Sequence, residues 1–173
     1  MRKLFCILVL VSGFAFGQNK VELAKEGSSD VVTEIPNATA EQLFLKTKEW
    51  IQQTYKNPNS VLKAEIVNDM VRIEGFQQAF FYTKSIIRQD YDLEYSIEIS
   101  FKDGKYKFSF VPGQISYNGS PNFLTFRNFF KDDGSVRKVY QASYDSALVS
   151  LNDLYLSHYN YISGKTTEKK KDW

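Results

Sequence analysis

LEYSIEISFKDGKYKFSFV, residues 93–111, alternates apolar and polar side chains on both sides of an Asp103-Gly104 pair. Asp-Gly between period-2 runs predicts a β-hairpin closed by a two-residue type I′ turn, because both central residues of that turn need positive φ and glycine takes it freely. The register then sets Phe101 against Tyr106, Ile99 against Phe108 and Ile97 against Phe110. The opposite face carries Glu94, Ser96, Glu98 and Ser100 against Lys107 and Ser109. A slip of one residue would bury those polar groups, so the pattern specifies a sheet with one wet side.

Upstream, Arg2 and Lys3 precede an apolar run from Leu4 to Phe16, and Ala15-Phe16-Gly17 offers small residues for cleavage before Gln18. This is the layout of an export signal, expected over residues 1–17. At 1.5 Å per residue the run spans about 20 Å, short of the roughly 30 Å needed to cross a bilayer, so no transmembrane segment is expected after its removal. Cys6 lies near the start of the apolar run, away from the position of a lipid-attachment cysteine. The formal charge of +2 becomes neutral once Arg2 and Lys3 are removed, which leaves no electrostatic footprint for nucleic acid. The mature chain also lacks cysteine, so packing alone must hold it. A chain of about 150 residues buries enough surface for one domain.

Residues 18–29 are polar and aperiodic and read as a mobile leader. Residues 30–35, DVVTEI, form a strand stopped by Pro36. Thr39 with Gln42 makes a capping box for a helix whose apolar stripe runs Leu43, Thr47, Trp50, Ile51 and Thr54. Asn57-Pro58-Asn59 ends it. Residues 61–74 predict a second hairpin about Asn68-Asp69, with Ile66 against Val71, Ala64 against Ile73, Glu65 against Arg72 and Lys63 against Glu74. The apolar phase changes after Gly75, which suggests a bulge there. Residues 82–91 are a connector, and Asn118-Gly119 is a further turn. Residues 123–130, FLTFRNFF, fit either a helix or a strand. A last helix is expected over 144–162, capped by Ser143 and ended by Gly164. The single domain is therefore expected over 30–163, and 164–173 as a basic disordered tail.

Strand, helix, two hairpins and a closing helix make an α+β plan, a curved antiparallel sheet with helices packed on one face. The stretches VVTEIPNATAEQLFLKTKEWIQQTY at 31–55, the strand pair at 61–75, YSIEISFKDGKYKF at 95–108 and KDDGSVRKVYQASYDSALVSLNDLYLSHYNYI at 131–162 resemble a family of exported bacterial proteins of unknown function with a TATA-binding-protein-like domain. The resemblance implies that fold and an exported setting. It brings no catalytic residues, and fold alone does not give function. The nucleic-acid role of the fold's namesake is not expected, since the wet face mixes Glu65, Glu74, Glu94 and Glu98 with Lys63, Arg72 and Lys107.

No constellation for catalysis stands out. His158 is the only histidine, and its helical neighbours Leu154, Tyr155, Tyr161 and Ile162 predict a packed ring at a helix edge. Glu94 and Glu98 would lie ~13 Å apart on one strand, too far for a glycosidase pair, whereas Asp92 and Glu94 at about 7 Å would fit. Asp132-Asp133-Gly134 resembles a calcium loop, but the positions around it hold Phe129, Lys131 and Tyr140 where ligands belong. No metal site, cofactor or phosphate loop is expected. What remains is aromatic: eleven tyrosines and fourteen phenylalanines. Phe123, Phe126, Phe129 and Phe130 are the candidate contact surface for a protein, glycan or lipid partner of the periplasm or cell envelope. The expected role is thus an exported, non-enzymatic binding or assembly module. The alternatives are a hydrolase of an envelope polymer using Asp92 or Glu94, and a small-ligand carrier with a pocket between helix and sheet.

Overall fold

The computed structural model describes residues 20–28, 30–84 and 86–165. The expected export signal and the end of the basic tail lie outside them. A sheet of six strands is built from β3 (Val31–Glu34), β4 (Leu62–Ile66), β5 (Met70–Lys84), β6 (Arg88–Lys102), β7 (Lys105–Tyr117) and β8 (Ser120–Pro121). Its order is β3-β7-β6-β5-β4, with β8 paired to β7, and every pairing is antiparallel. The helices α1 (Ala40–Thr54) and α3 (Gln141–Ile162) pack on the apolar face, and a single turn, α2 (Pro58–Val61), follows α1. This is the expected α+β plan, with helices on one side and the other side open.

The β6–β7 hairpin has the expected register, with Phe101 opposite Tyr106, Ile99 opposite Phe108 and Ile97 opposite Phe110. Its turn differs. Gly104 has φ 77° but Asp103 does not take positive φ, so the turn is not type I′. The reason is tertiary: Asp103 Oδ1 accepts the Ala40 N–H at 2.8 Å, and the Gly104 N–H donates to the Ala38 carbonyl at 2.8 Å. The tip is thereby moulded onto the start of α1, where Thr39 and Gln42 form the expected capping box. The mirror-image turn occurs instead between β7 and β8, where Asn118 (φ 50°) and Gly119 (φ 75°) both go positive.

The β4–β5 hairpin departs from expectation by one residue. Ile66 pairs with Met70, so Val67-Asn68-Asp69 is a three-residue loop with Asn68 at φ 61°. The slip turns Glu65 toward the helices, where it pairs with Lys48, and turns Ile66 onto the open face. Arg72 meets Glu98 at 2.7 Å rather than Glu65. The shift is absorbed between Leu62 and Ala64, so Lys63 still approaches Glu74 at 3.7 Å.

Gly75 lies in register opposite Tyr95, and the bulge falls further on, between Gln77 and Phe81. There Ala79 takes φ 50°, and the freed backbone groups find partners. The Ala79 N–H donates to Asp92 Oδ1 at 2.9 Å, the Tyr82 N–H donates to Ser146 Oγ at 3.2 Å, and Ser150 Oγ donates to the Phe80 carbonyl at 2.6 Å. Gly75 serves another purpose: a Cβ there would stand 2.5 Å from a ring carbon of Tyr95, which crosses the strand and meets the Tyr55 hydroxyl at 3.1 Å. Residues 82–91 are not a separate connector, because β5 and β6 stay paired as far as Lys84 and Arg88.

Residues 20–28 correct the leader expected over 18–29. They form a small hairpin of β1 (Leu23–Ala24) and β2 (Gly27–Ser28), with Val21 and Leu23 buried. Val21 is held by Asn152 of α3 through both its N–H and its carbonyl, each at 3.0 Å. The domain therefore begins before residue 30. At the other end α3 starts three residues earlier than expected, Ser143 is buried within it rather than capping it, and Gly164 ends it at φ 69°. The Lys165 N–H then donates to the Asn160 carbonyl at 2.9 Å, so the tail is ordered at least to there.

A second bulge lies between β6 and β7, where Leu93 pairs with Ile115 and Tyr95 with Pro112. Gly113 sits in it, and a Cβ would stand 2.8 Å from the Glu94 carbonyl oxygen. Backbone cannot swing aside as a side chain can. Gly113→Ala is expected to cost about 1–3 kcal/mol and to lower the melting temperature by several degrees, read by differential scanning calorimetry. An unchanged melting temperature would place the two strands further apart than described.

Candidate functional site

The structure buries most of the expected contact segment. Of its four phenylalanines only Phe123 stands in solvent, at 103% relative exposure, while Phe126, Phe129 and Phe130 are buried. The segment is a 3-10 turn, Phe126–Phe129, set by Thr125 and Asn128, whose amide oxygen accepts the Thr125 N–H at 2.8 Å. Three residues per turn put Phe126 and Phe129 on one face, which is the buried one. Phe129 meets Phe126 at 5.0 Å, Phe81 at 5.4 Å and Tyr140 at 5.2 Å between ring centroids, and Phe130 packs on Tyr144 at 5.8 Å. These rings are a floor.

Above that floor lies a concavity of about 440 Å³ lined by Lys25, Arg127, Asn128, Phe130, Asp132, Arg137, Val139 and Tyr140. Its cations come from the β1–β2 turn, the 3-10 turn and the loop before α3. Arg127 pairs with Glu26 at 2.5 Å, and Lys25 approaches Asp132 at 3.6 Å. Arg137 donates from Nε to the Phe130 carbonyl at 2.9 Å and from its backbone N–H to the Phe129 carbonyl at 2.7 Å. Asp133 is turned to Ser135, whose N–H and hydroxyl it accepts at 2.9 and 2.6 Å, and those bonds hold its carboxyl below the usual range.

A second concavity, about 490 Å³, opens on the uncovered sheet face. Phe76 and Val111 stand on its sides at 52% and 56% exposure, with Glu74, Glu94 and Lys63 around it and the backbone of Gly75, Pro112 and Gly113 in its lining. Much of the rest of this face satisfies itself. Arg72 pairs with Glu98, Lys107 with Asp30 at 3.2 Å, and Ser109 donates to Asp30 at 2.7 Å, which lowers the Asp30 carboxyl.

The carboxylates proposed as an acid or base are separated by their surroundings. Glu94 borders the open-face concavity, whereas Asp92 is engaged as the acceptor for the Ala79 N–H. His158 is fully buried rather than at a helix edge, its Nε2 3.0 Å from Thr47 Oγ1 and its ring against Trp50 and Tyr106, both at 4.9 Å. Burial pushes its pKa down to about 3, so the ring is neutral. Ser157 accepts the Trp50 indole N–H at 3.1 Å. The centre of the helix–sheet layer, where a carrier pocket was expected, is filled by Trp50, Tyr106, Phe108, Tyr155 and His158. Among the described residues no group of three or more His, Cys, Asp or Glu could hold a metal ion, and no helix is long and apolar enough to cross a membrane.

A family model for a domain of unknown function (DUF4468) with TBP-like fold matches residues 30–118. The chain belongs to this family. Among solved structures it is similar to a DUF4468 family protein from Bacteroides ovatus, with 9% identity, a TM-score of 0.64 and coverage of 86% of this chain and 92% of that one. It is also similar to a TBP-like protein from Parabacteroides distasonis, with 11% identity, a TM-score of 0.55 and coverage of 78% and 90%. No curated protein matches. The DUF4468 span contains the whole open-face concavity, including Phe76, Glu94 and Val111, but ends before Arg127 and Arg137 and begins after Lys25. Sequence reasoning missed both concavities: the open face was expected to be wet, and the cations at 25, 127 and 137 are too far apart along the chain to signal one another.

Proposed function

We propose that the chain is an exported, non-enzymatic binding module of the periplasm or cell envelope, and that it grips a protein partner on the open sheet face. The reading is carried by Phe76 and Val111, each about half exposed across a concavity in a face that no helix among the described residues covers. A sheet normally fills such positions with polar residues, and apolar ones exposed together mark contact surfaces. The neighbouring charges support it, since Arg72–Glu98 and Lys107–Asp30 are already paired, Glu74 has only the exposed Lys63 at 3.7 Å, and Glu94 faces the concavity with no ion pair among the described residues. An apolar side chain flanked by lysine or arginine is the complement. Export rests on the pattern of residues 1–17.

The test is a photo-crosslinking residue placed at Ser96, between Phe76 and Val111, in cells making the full chain. One envelope protein is expected to be captured through a segment with basic residues beside an apolar one, and Phe76→Ser with Val111→Ser is expected to abolish the adduct at an unchanged melting temperature. Adducts scattered over many proteins, or undiminished in the double variant, would refute the surface. N-terminal sequencing of the recovered chain checks export separately: it should begin at Gln18, and an intact Met1 would sink that part.

A further inference from the structure

We propose that the concavity formed by Lys25, Arg127, Arg137 and Tyr140 binds a small anion, a phosphate or carboxylate borne on a flat apolar body. Three positive side chains from separate segments border one hollow of about 440 Å³, within the range of small-molecule sites. Their present partners are weak competitors. Arg127 and Glu26 are 65% and 70% exposed, and Asp132 is fully exposed at 3.6 Å from Lys25, so both pairs stand in water where such contacts contribute little. Arg137 has no carboxylate partner among the described residues, and it is anchored through Nε, which leaves its terminal nitrogens to present the two-pronged donor set that phosphate and carboxylate accept.

The apolar half of the site is equally well placed. Tyr140 lies in the lining with its ring stacked on buried Phe129, 19° from parallel, and Phe130 lines the same hollow while packed on Tyr144. A ring or similar flat group laid there meets surfaces that do not need to be ordered on binding. Asn128 adds an amide to the lining, and Asp133, the nearest other acid in sequence, is occupied by Ser135. The hollow is a single pocket on a chain of balanced charge, which selects a small ligand over a nucleic-acid backbone. This site does not depend on the open-face contact.

The experiment is calorimetric titration of the mature chain, at low ionic strength to limit screening, with phenyl phosphate, benzoate and benzyl alcohol as probes. Phenyl phosphate or benzoate is expected to bind saturably at one site, and benzyl alcohol not to bind. Arg137→Gln and, separately, Arg127→Gln are each expected to weaken binding roughly ten-fold or more, as loss of a hydrogen bond between charged groups does. Arg127 is an exposed side chain, so its variant keeps the fold if Arg137→Gln does not. Tighter binding of phenyl phosphate assigns phosphate, and tighter binding of benzoate assigns carboxylate. No saturable binding of either anion, equal affinity in wild type and Arg127→Gln, or equal binding of benzyl alcohol overturns the proposal.

Discussion

Phe129→Ser is expected to lower the melting temperature by roughly 6–20 °C. The side chain is fully buried and touches the rings of Phe81 and Phe126 edge-on and that of Tyr140 stacked, so its removal leaves a cavity that these rigid neighbours cannot close. Loss of a buried phenylalanine costs about 3–5 kcal/mol, and for a domain of this size each kcal/mol is worth about 2–4 °C. Serine adds a hydroxyl with no partner provided. Phe123→Ser, six residues away and fully exposed, is expected to change stability by less than about 0.5 kcal/mol. Thermal melts of the two variants side by side decide it, and equal melting temperatures would show that the segment is not packed as described.

Acid destabilises the fold through His158. In the folded state its pKa is pushed down to about 3 by complete burial, while in the unfolded chain it has the ordinary value of 6.5. The unfolded state thus binds the extra proton between those limits, so this contribution is whole above about pH 6.5 and is lost as the pH falls toward 3. The slope reaches about 1.4 kcal/mol per pH unit, and the whole window amounts to something on the order of 5 kcal/mol. The geometry gives the cause: Nδ1 has no hydrogen-bond partner among the described residues, so the protonated ring would bury both a charge and an unpaired Nδ1–H. Urea denaturation at pH 6.5 and pH 5 tests it above the range where carboxylates titrate. Wild type is expected to lose stability over that interval and His158→Gln, uncharged but able to bond Thr47, to lose little. Parallel curves would mean that His158 does not carry the acid response.

The central hairpin was legible because its alternation is strict over both strands, and α1 because Thr39 and Gln42 satisfy each other locally. The β4–β5 register was not, since two registers satisfy the Lys63–Glu74 attraction and the choice is made elsewhere: the Asp69 carbonyl accepts the Phe101 N–H at 2.7 Å from the neighbouring strand. Residues 20–28 hid for a similar reason. Their anchor, Asn152, is 131 residues away from Val21, and no local period could announce it. In FLTFRNFF the phenylalanines drew attention as a surface, yet the residues left facing the hollow are Arg127 and Asn128 between them. The signal available in the sequence was Thr125 with Asn128 three residues on, the same local capping pattern as Thr39 with Gln42, which sets a turn that buries Phe126 and Phe129.

The pairing of β3 with β7 sets Val31 against Phe108 and Glu34 against Lys105, so the first strand of the large sheet has its neighbour in the last of the long strands. A chain synthesised from its N-terminus presents Val31–Glu34 well before that neighbour exists. Such long-range closure is slow. The edge strand Val31–Glu34 therefore waits for Lys105–Phe108 while α1 and the hairpins after it can form locally, so closing this edge of the sheet is the last and slowest pairing to be made.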